Sequence, residues 1–130
     1  MAYEKITYNL PEQRQAKEGE FDNTNWATIT CKLGWDVIGV YPKGADGTDI
    51  NAVDVIIEKG LVAASDDFGS VTIFKYPVLS QSQQSVRMTG HSEHVARVRF
   101  YDGPLGTYMI TAGGNDRTYI QWKGVQKASE

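Results

Sequence analysis

The stretch from Gly90 to Trp122, GHSEHVARVRFYDGPLGTYMITAGGNDRTYIQW, constrains the fold more than any other part of this 130-residue chain. A Gly-His pair opens it, alternating and apolar runs follow, and the tight turn GGND leads into TYIQW. Apolar side chains alternate with arginines along residues 96–100. Those of Ala96, Val98 and Phe100 fall on one side and the two arginines on the other, as in a strand with one buried face. The stretch therefore predicts antiparallel strands joined by tight turns.

The order from Gly-His to Trp resembles a WD-repeat blade of a β-propeller, which is four antiparallel strands in roughly 40–45 residues. In such blades the turn Asp, the His, a strand Ser or Thr and the Trp form a buried hydrogen-bonded chain. Asp116, His91 and Trp122 fit three of these roles, with His91 buried and neutral. The fourth role falls on Ala112, with Thr111 one place off, so we expect the chain of hydrogen bonds to be incomplete.

The length of the chain limits how much of a propeller it can form. At roughly 40–45 residues per blade, 130 residues make about three blades, whereas propellers typically close with 4–8 blades. We therefore expect an all-β fold of about two to three four-stranded antiparallel blades, part of an incomplete propeller. Its exposed flanks predict either self-association or completion by the remaining blades, from the same or another polypeptide.

Three parts of the chain are predicted from this pattern. Residues 1–25 are expected to form an N-terminal strand and a polar connector. Residues 26–123 are expected to form the WD-repeat blades, and residues 124–130 a C-terminal tail. Within residues 26–42 the alternation predicts two short strands, with Cys31 buried on the apolar side of the first.

Residues 50–76 repeat the blade pattern upstream of the Gly-His pair. The runs INAVDVII, LVAASDD and SVTIFKY predict three strands, the second of them buried on both faces. Asp67 and Phe74 take the places of the turn Asp and of the blade's Trp. The run SVRMT, residues 85–89, is predicted to be an outer strand.

Bulk properties argue against several classes of partner. The formal charge is −3 and the thirteen Lys and Arg are scattered, whereas a nucleic-acid surface needs a concentrated basic patch. No apolar run approaches the 18 or more residues of a membrane span, and MAYEKITYNL lacks the layout of a signal peptide. A single Cys fits a reducing cytosol. We expect neither nucleic acid nor membrane as a partner.

No pattern in the chain predicts catalysis, a cofactor or a metal ion. The letters DFG at residues 67–69 occur without the other kinase motifs, and Asp46 and Asp49 lack the closing Glu of a calcium loop. His91 and His94 have no third ligand nearby in sequence. There is no nucleophile–base pair and no phosphate loop. We expect a protein that is not an enzyme.

Six motifs in order carry a closer resemblance: WAT-x-TC-x-LG, V-x-GVYP, GTDINAVD, DDFGSVTIFKYP, GHSEHVARVRF and TAGGNDRTYIQW. Together they are similar to the C-terminal part of the echinoderm microtubule-associated protein-like family, over residues 26–123, about three-quarters of the chain. The resemblance implies the last two to three blades of the second of two tandem propellers. It also implies binding to tubulin or microtubules.

The expected function is that of a non-enzymatic binding module, and the alternative is a general WD-repeat scaffold for protein–protein interaction without a tubulin role. The resemblance implies a cytoplasmic location on the cytoskeleton, at microtubules that include those of the ciliary axoneme. We expect a shape-specific contact through exposed loops at residues 43–49, 77–85 and 102–107. The candidate contact residues are Lys43, Asp46, Asp49, Gln81, Gln84, Asp102 and Leu105.

Overall fold

Antiparallel sheets dominate the computed structural model, which describes residues 4–125. Two short 3₁₀ turns, Ile38–Val40 and Ile57–Lys59, are the helical segments within that range. The all-β expectation is confirmed. The strands are β1 Tyr8–Asn9, β2 Arg14–Gln15, β3 Ile50–Ile56, β4 Leu61–Asp66, β5 Ser70–Lys75, β6 Ser85–Thr89, β7 Val95–Gly103, β8 Gly106–Gly113 and β9 Tyr119–Lys123.

Strands β3 to β6 form a complete four-stranded antiparallel sheet in the order β3-β4-β5-β6, which we call the first blade. The predicted strand runs at residues 50–76 and 85–89 are confirmed. Strand β4 is buried along nearly its whole length, as its continuous apolar run predicts. Gly60, in the turn from β3 to β4, adopts the left-handed conformation (φ 63°) that a residue without a Cβ adopts easily.

Strands β7, β8 and β9 form the second blade, a three-stranded antiparallel sheet in that order. No fourth strand pairs with β9 within residues 4–125. The ladder between β7 and β8 shifts register between Val95 and Arg97, so Ala96 lies in a bulge. Beyond the bulge, Val98 is buried and Arg97 and Arg99 are exposed, in agreement with the predicted alternation.

A small hairpin of β1 and β2 lies near the N-terminus. The sequence predicts a strand near its start and an exposed loop over the second half of this hairpin. Instead, Gln13 takes a left-handed turn conformation (φ 51°), and the Arg14 guanidinium donates to both carboxylate oxygens of Glu20. That bidentate pair lowers the pKa of Glu20 to about 2. Residues 1–3 lie outside the described range.

The prediction of two strands within residues 26–42 is wrong. The segment runs in turns and a 3₁₀ turn across one face of the first blade, where Val37, Val40 and Tyr41 join the core. No described strand lies beside it to supply ladder hydrogen bonds, and Val37 and Val40, three residues apart, face the blade together. Cys31 is exposed, contrary to the prediction of a buried side chain, because this stretch is not a strand with a covered face.

The two blades pack face to face through small and β-branched side chains. Ala52, Ala63 and Val71 of the first blade meet Val98 and Met109 of the second in one buried cluster. The opposite face of the first blade is covered by the segment of residues 37–41 and by Val78. The first blade is therefore buried on both faces, whereas the second blade is covered on one.

Two polar side chains fix how β7 lies along β3. The Asp54 carboxylate accepts the backbone N–H of Phe100 at 2.7 Å, and the Asn51 amide donates to the carbonyl of Val95 at 3.1 Å. Both bonds cross from one blade to the other. Since Asn51 meets the start of β7 and Asp54 meets its middle, the two strands run in the same direction.

We expect Asp54→Ala to lower the free energy of unfolding by about 1.5–3 kcal/mol, the usual value of a hydrogen bond to a charged group. Asp54→Asn keeps an acceptor oxygen and should lose less. Urea unfolding monitored by tryptophan fluorescence measures both variants, with Asp67→Ala, an exposed carboxylate, as the control. Equal midpoints for Asp54→Ala and the parent would contradict this role.

Candidate functional site

A buried chain of hydrogen bonds crosses the second blade. His91 Nδ1 lies 2.7 Å from Asp116 Oδ2, His91 Nε2 lies 2.8 Å from Thr111 Oγ1, and Trp122 Nε1–H donates to Thr111 Oγ1 at 3.0 Å. The His91 side chain is fully buried and that of Asp116 is 4% exposed. The chain ties the loop before β7 to β8, β9 and the turn between them.

One arrangement of protons gives each of these groups a partner. A Trp N–H can only donate and a carboxylate can only accept. Trp122 therefore donates to Thr111, the Thr111 hydroxyl donates to His91 Nε2, and His91 Nδ1–H donates to Asp116. In this arrangement the His91 imidazole carries a proton on Nδ1 and accepts at Nε2.

The expectation of an incomplete chain is wrong, because Thr111 fills the fourth role. Thr111 pairs with Val98 and Ile120 in the ladders, which points its fully buried side chain toward the first blade. Ala112 has the opposite parity and pairs with Arg97 on the other face. Side chains alternate along a strand, so an offset of one residue moves the hydroxyl to the other face.

The glycines of the turn between β8 and β9 are required by close contacts. A Cβ on Gly113 would lie 1.8 Å from Asp116 Oδ1, and one on Gly114 would lie 1.8 Å from His94 Nε2. The residue with positive φ in this turn is Arg117 (φ 54°). Gly113 and Gly114 thus let the Asp116 and His94 side chains approach the backbone.

The same place in the first blade is apolar. The ladder registers align Phe74 with Trp122, and Ala64 with Thr111. Phe74 and Ala64 are both buried in the core cluster of the first blade. With Phe74 and Ala64 in place of the indole N–H and the hydroxyl, this position of the first blade has no side-chain polar group that needs a partner.

Asp67, predicted to be the turn Asp of the first blade, has an exposed side chain. Asp66 takes that role, because its Oδ1 accepts the backbone N–H groups of Phe68 and Ser70, both at 2.9 Å. Asp66 is the last residue of β4 and is buried, so its carboxylate lies within reach of the backbone N–H groups of the turn that follows. The sequence predicted Asp67 for this role, one residue beyond the one that fills it.

A second polar cluster lies beside the buried chain. The Glu93 carboxylate accepts the backbone N–H and the side-chain amide of Asn115, each at 3.0 Å, and lies 3.0 Å from His94 Nδ1. The bonds from Asn115 hold the pKa of Glu93 below its usual value, against the effect of desolvation. Burial raises the pKa of Asp116, but hydrogen bonds from His91 and the Thr118 amide outweigh it, and the net shift is downward.

The three predicted contact loops lie at two opposite ends of the blades. The strands β3 and β7 run parallel, so the segments after them lie at the same end. Residues 102–107 lie around the turn that follows β7, and residues 77–85 follow β5, which runs parallel to β3. Both segments therefore lie at that end, which brings Gln81, Gln84, Asp102 and Leu105 to one side of the molecule. Residues 43–49 precede β3, so Lys43, Asp46 and Asp49 lie at the other end.

The two ends differ in charge and in exposed apolar side chains. The acidic end, defined by residues 43–49, 66–69, 90–94 and 113–118, carries six carboxylates against Lys43 and Arg117. The apolar end, defined by residues 57–60, 76–84 and 102–107, exposes one aliphatic side chain from each of its three segments. These are Ile57 (57%), Leu79 (56%) and Leu105 (81%).

Within residues 4–125, no three His, Cys, Asp or Glu side chains come together in a way that could hold a metal ion. His91 and His94, weighed as ligands in the sequence, instead hydrogen-bond to Asp116 and Glu93. The same part of the chain contains no helix that is long and apolar enough to cross a membrane.

The stacked blades and the Asp–His–Thr–Trp chain together define a β-propeller protein of the WD-repeat class. Residues 1–124 match the family described as the echinoderm microtubule-associated protein second beta-propeller. The chain belongs to this family.

Several curated relatives are similar over most of this chain. Human echinoderm microtubule-associated protein-like 4 is 37% identical over 129 residues, 98% of this chain and 13% of the relative. The like-2 protein of Rattus norvegicus is 44% identical over 102 residues, 78% of this chain and 15% of the relative. The like-1 protein of the same species is 46% identical over 98 residues, 75% and 12% respectively. The chain thus spans about an eighth to a seventh of each relative's length.

We expect His91→Ala to lower the free energy of unfolding by about 1–3 kcal/mol, because it leaves Thr111 and Asp116 without their buried partner. Thr111→Val should have a similar effect, and Thr111→Ser a smaller one. His94→Ala is the matched control, since His94 makes a partly exposed bond to Glu93. Thermal melting followed by circular dichroism measures all four. A parental melting temperature for His91→Ala would show that the network does not stabilise the blade.

The lowered pKa of Asp116 predicts a loss of stability in acid. A carboxyl group whose folded pKa lies below the ordinary value of 3.8 stabilises the fold above that pH. The contribution is lost as the pH falls from that value through the folded pKa. Asp116→Asn removes it, so the melting temperature of the variant should depend less steeply on pH below about 4. Asp67→Asn is the control, and identical pH slopes for Asp116→Asn and the parent would refute the assignment.

Proposed function

We propose that this chain is a non-enzymatic binding module of a microtubule-associated propeller and contacts tubulin through loops at one end of its blades. The membership of residues 1–124 in the second-propeller family supports this most directly. The relatives' printed names describe microtubule-associated proteins. The corresponding location is the cytoplasmic cytoskeleton, at microtubules that include those of the ciliary axoneme.

The apolar end is the better candidate for the contact surface. The tails of tubulin are acidic, and the exposed Asp46, Asp67 and Glu93 of the acidic end would repel them. The apolar end instead offers Ile57, Leu79 and Leu105 for burial, with the polar Gln81 and Gln84 around them. A contact of this kind depends on shape more than on charge.

A general scaffold for protein–protein interaction is the second candidate. The observation that favours it is that the two loop ends carry few basic side chains, Lys59 at one and Lys43 and Arg117 at the other, so neither end offers a basic cluster to an acidic tail. The same exposed aliphatic side chains would then bury against another protein. Microtubule co-sedimentation, together with a pull-down of unpolymerised tubulin, separates the two functions.

We expect the chain to co-sediment with microtubules and Leu105→Asp to weaken binding roughly tenfold or more. Burying a Leu side chain contributes about 1.5–3 kcal/mol, and 1.4 kcal/mol corresponds to a factor of ten. Phe68→Asp is the matched control, because Phe68 is a 69% exposed apolar residue at the acidic end. Equal losses for the two variants would exclude the apolar end as the contact surface.

The same assay distinguishes shape from charge. We expect the bound fraction to fall only modestly when the ionic strength is doubled, since packing contacts are not screened by salt. Complete release on such a small rise would show that charged groups carry the contact. Absence of co-sedimentation at any salt, with capture of other proteins retained, would favour the general scaffold.

A further inference from the structure

The second blade has one face that nothing in the described chain covers. The ladder registers place alternate residues of β7, β8 and β9 on it, opposite Val98, Met109 and Trp122. We call this the free face. Its residues are Arg97, Arg99, Tyr101, Tyr108, Ile110, Ala112, Tyr119, Gln121 and Lys123. Tyr119 is 78% exposed, and a depression of about 330 Å³ opens among Tyr101, Leu105, Tyr108, Ile110 and Gln121, with Pro104 at its rim.

The free face continues the interface already present between the two blades. The corresponding face of the first blade is the one that packs on the second, through Ala52, Ala63 and Val71. Alignment through the ladders places Ile110 where Ala63 lies, and Tyr119 where Val71 lies. The free face is therefore the equivalent, in the second blade, of the face with which the first blade packs on its neighbour.

At one aligned position the first blade has a hydrogen-bond acceptor and the second blade has a donor. Alignment through β8 places Arg99 where Asp54 lies in the first blade. Asp54 accepts the backbone N–H of Phe100 across the blade interface. An arginine cannot accept that bond, because its guanidinium carries only donors. A blade that packs on the free face must therefore present an acceptor, not an N–H group, to Arg99.

A second copy of this chain does not offer the matching surface. The face with which the first blade could receive a free face is occupied by its own segment of residues 37–41 and by Val78. Two free faces brought together would oppose Arg97 and Arg99 with the same charges, which is destabilising. The match covers 13% of one relative and 16% of another, so these relatives are about six to eight times longer than the aligned segment, and chain for further blades exists in the family.

We propose that the free face binds an adjoining propeller blade that presents at least one carboxylate to Arg99 and Arg97. This rests on the proposed function in so far as the chain works inside a larger propeller. The arginine pair and the carboxylate form a charge-assisted contact, and the adjoining blade covers Tyr101, Ile110 and Tyr119. This interface thus selects its neighbour by charge. The interface between the first and second blades instead uses the hydrogen bond from the Phe100 backbone to Asp54.

The test supplies the missing blades in trans. Human echinoderm microtubule-associated protein-like 4, shortened by its matching segment, is co-expressed with the tagged 130-residue chain, and capture is measured. We expect capture of the parent chain, and a loss of roughly tenfold or more for Arg99→Glu, because the variant opposes two like charges. Arg99→Lys should keep part of the binding. Lys43→Glu is the control of equal charge change at the acidic end.

A second measurement keeps the proposal testable if the shortened human protein does not fold. A tagged copy of the human protein's own missing segment must be captured in parallel, and a chimera carrying this chain in place of that segment is melted. Arg99→Glu should then lower the melting temperature of the chimera and leave that of the isolated chain unchanged. Equal effects in both contexts, or capture of Arg99→Glu equal to that of the parent, would overturn the proposal.

The outcome is separable from that for microtubules. Capture that depends on Arg99, without co-sedimentation of the assembled pair, leaves the blade contact intact and removes the tubulin role. If the chain co-sediments but is not captured, while the human segment is captured, the tubulin role stands and the blade contact is refuted. Photo-crosslinking from position 119 to tubulin instead of to the shortened propeller would show that the free face is a partner surface and would refute the adjoining blade.

Discussion

The close parallel contact of β3 and β7 is the constraint on which the rest of the structure depends. The small side chains of Ala52 and Ala63 let the second blade approach the first, and an approach that close would bury the N–H of Phe100 without a partner. Asp54 supplies that partner. Because the two strands run in the same direction, equivalent loops of successive blades come together, and the molecule acquires two chemically distinct ends.

The two blades use different means to hold the same corner together. The second joins Asp116, His91, Thr111 and Trp122 through directional bonds, and the first packs Phe74 and Ala64. A polar chain stabilises a buried site only when every member has its partner. An apolar site avoids that requirement altogether, so either solution is stable while a mixture of the two would not be. The polar solution also anchors the loop before β7, which the apolar one cannot do.

The charges of the molecule are sorted by surface, although they are scattered along the sequence. Carboxylates gather at the acidic end, exposed aliphatic side chains at the apolar end, and Arg97 and Arg99 on the free face. This sorting gives the three surfaces different chemistry. It follows from the alternation of side chains along strands and from the parallel stacking of the blades.

Much of the molecule follows from local sequence. The strands of both blades were predictable because alternation and Gly-rich turns are properties of neighbouring residues, and His91, Asp116 and Trp122 are recognisable from their order. Residues 26–42 were predicted wrongly because a strand needs a neighbouring strand to pair with. Cys31 was expected to be buried for the same reason.

The tertiary structure alone decided which neighbouring residue takes each role. Thr111 rather than Ala112 completes the hydrogen-bonded chain, because strand register sets which side chain faces the first blade and a step of one residue reverses it. Asp66 rather than Asp67 closes its turn, because the turn geometry sets which carboxylate meets the backbone N–H groups. The division of the predicted loops between two ends was likewise invisible in the sequence. It depends on the relative direction of β3 and β7, which contacts such as that of Asp54 with Phe100 determine across 46 residues of chain.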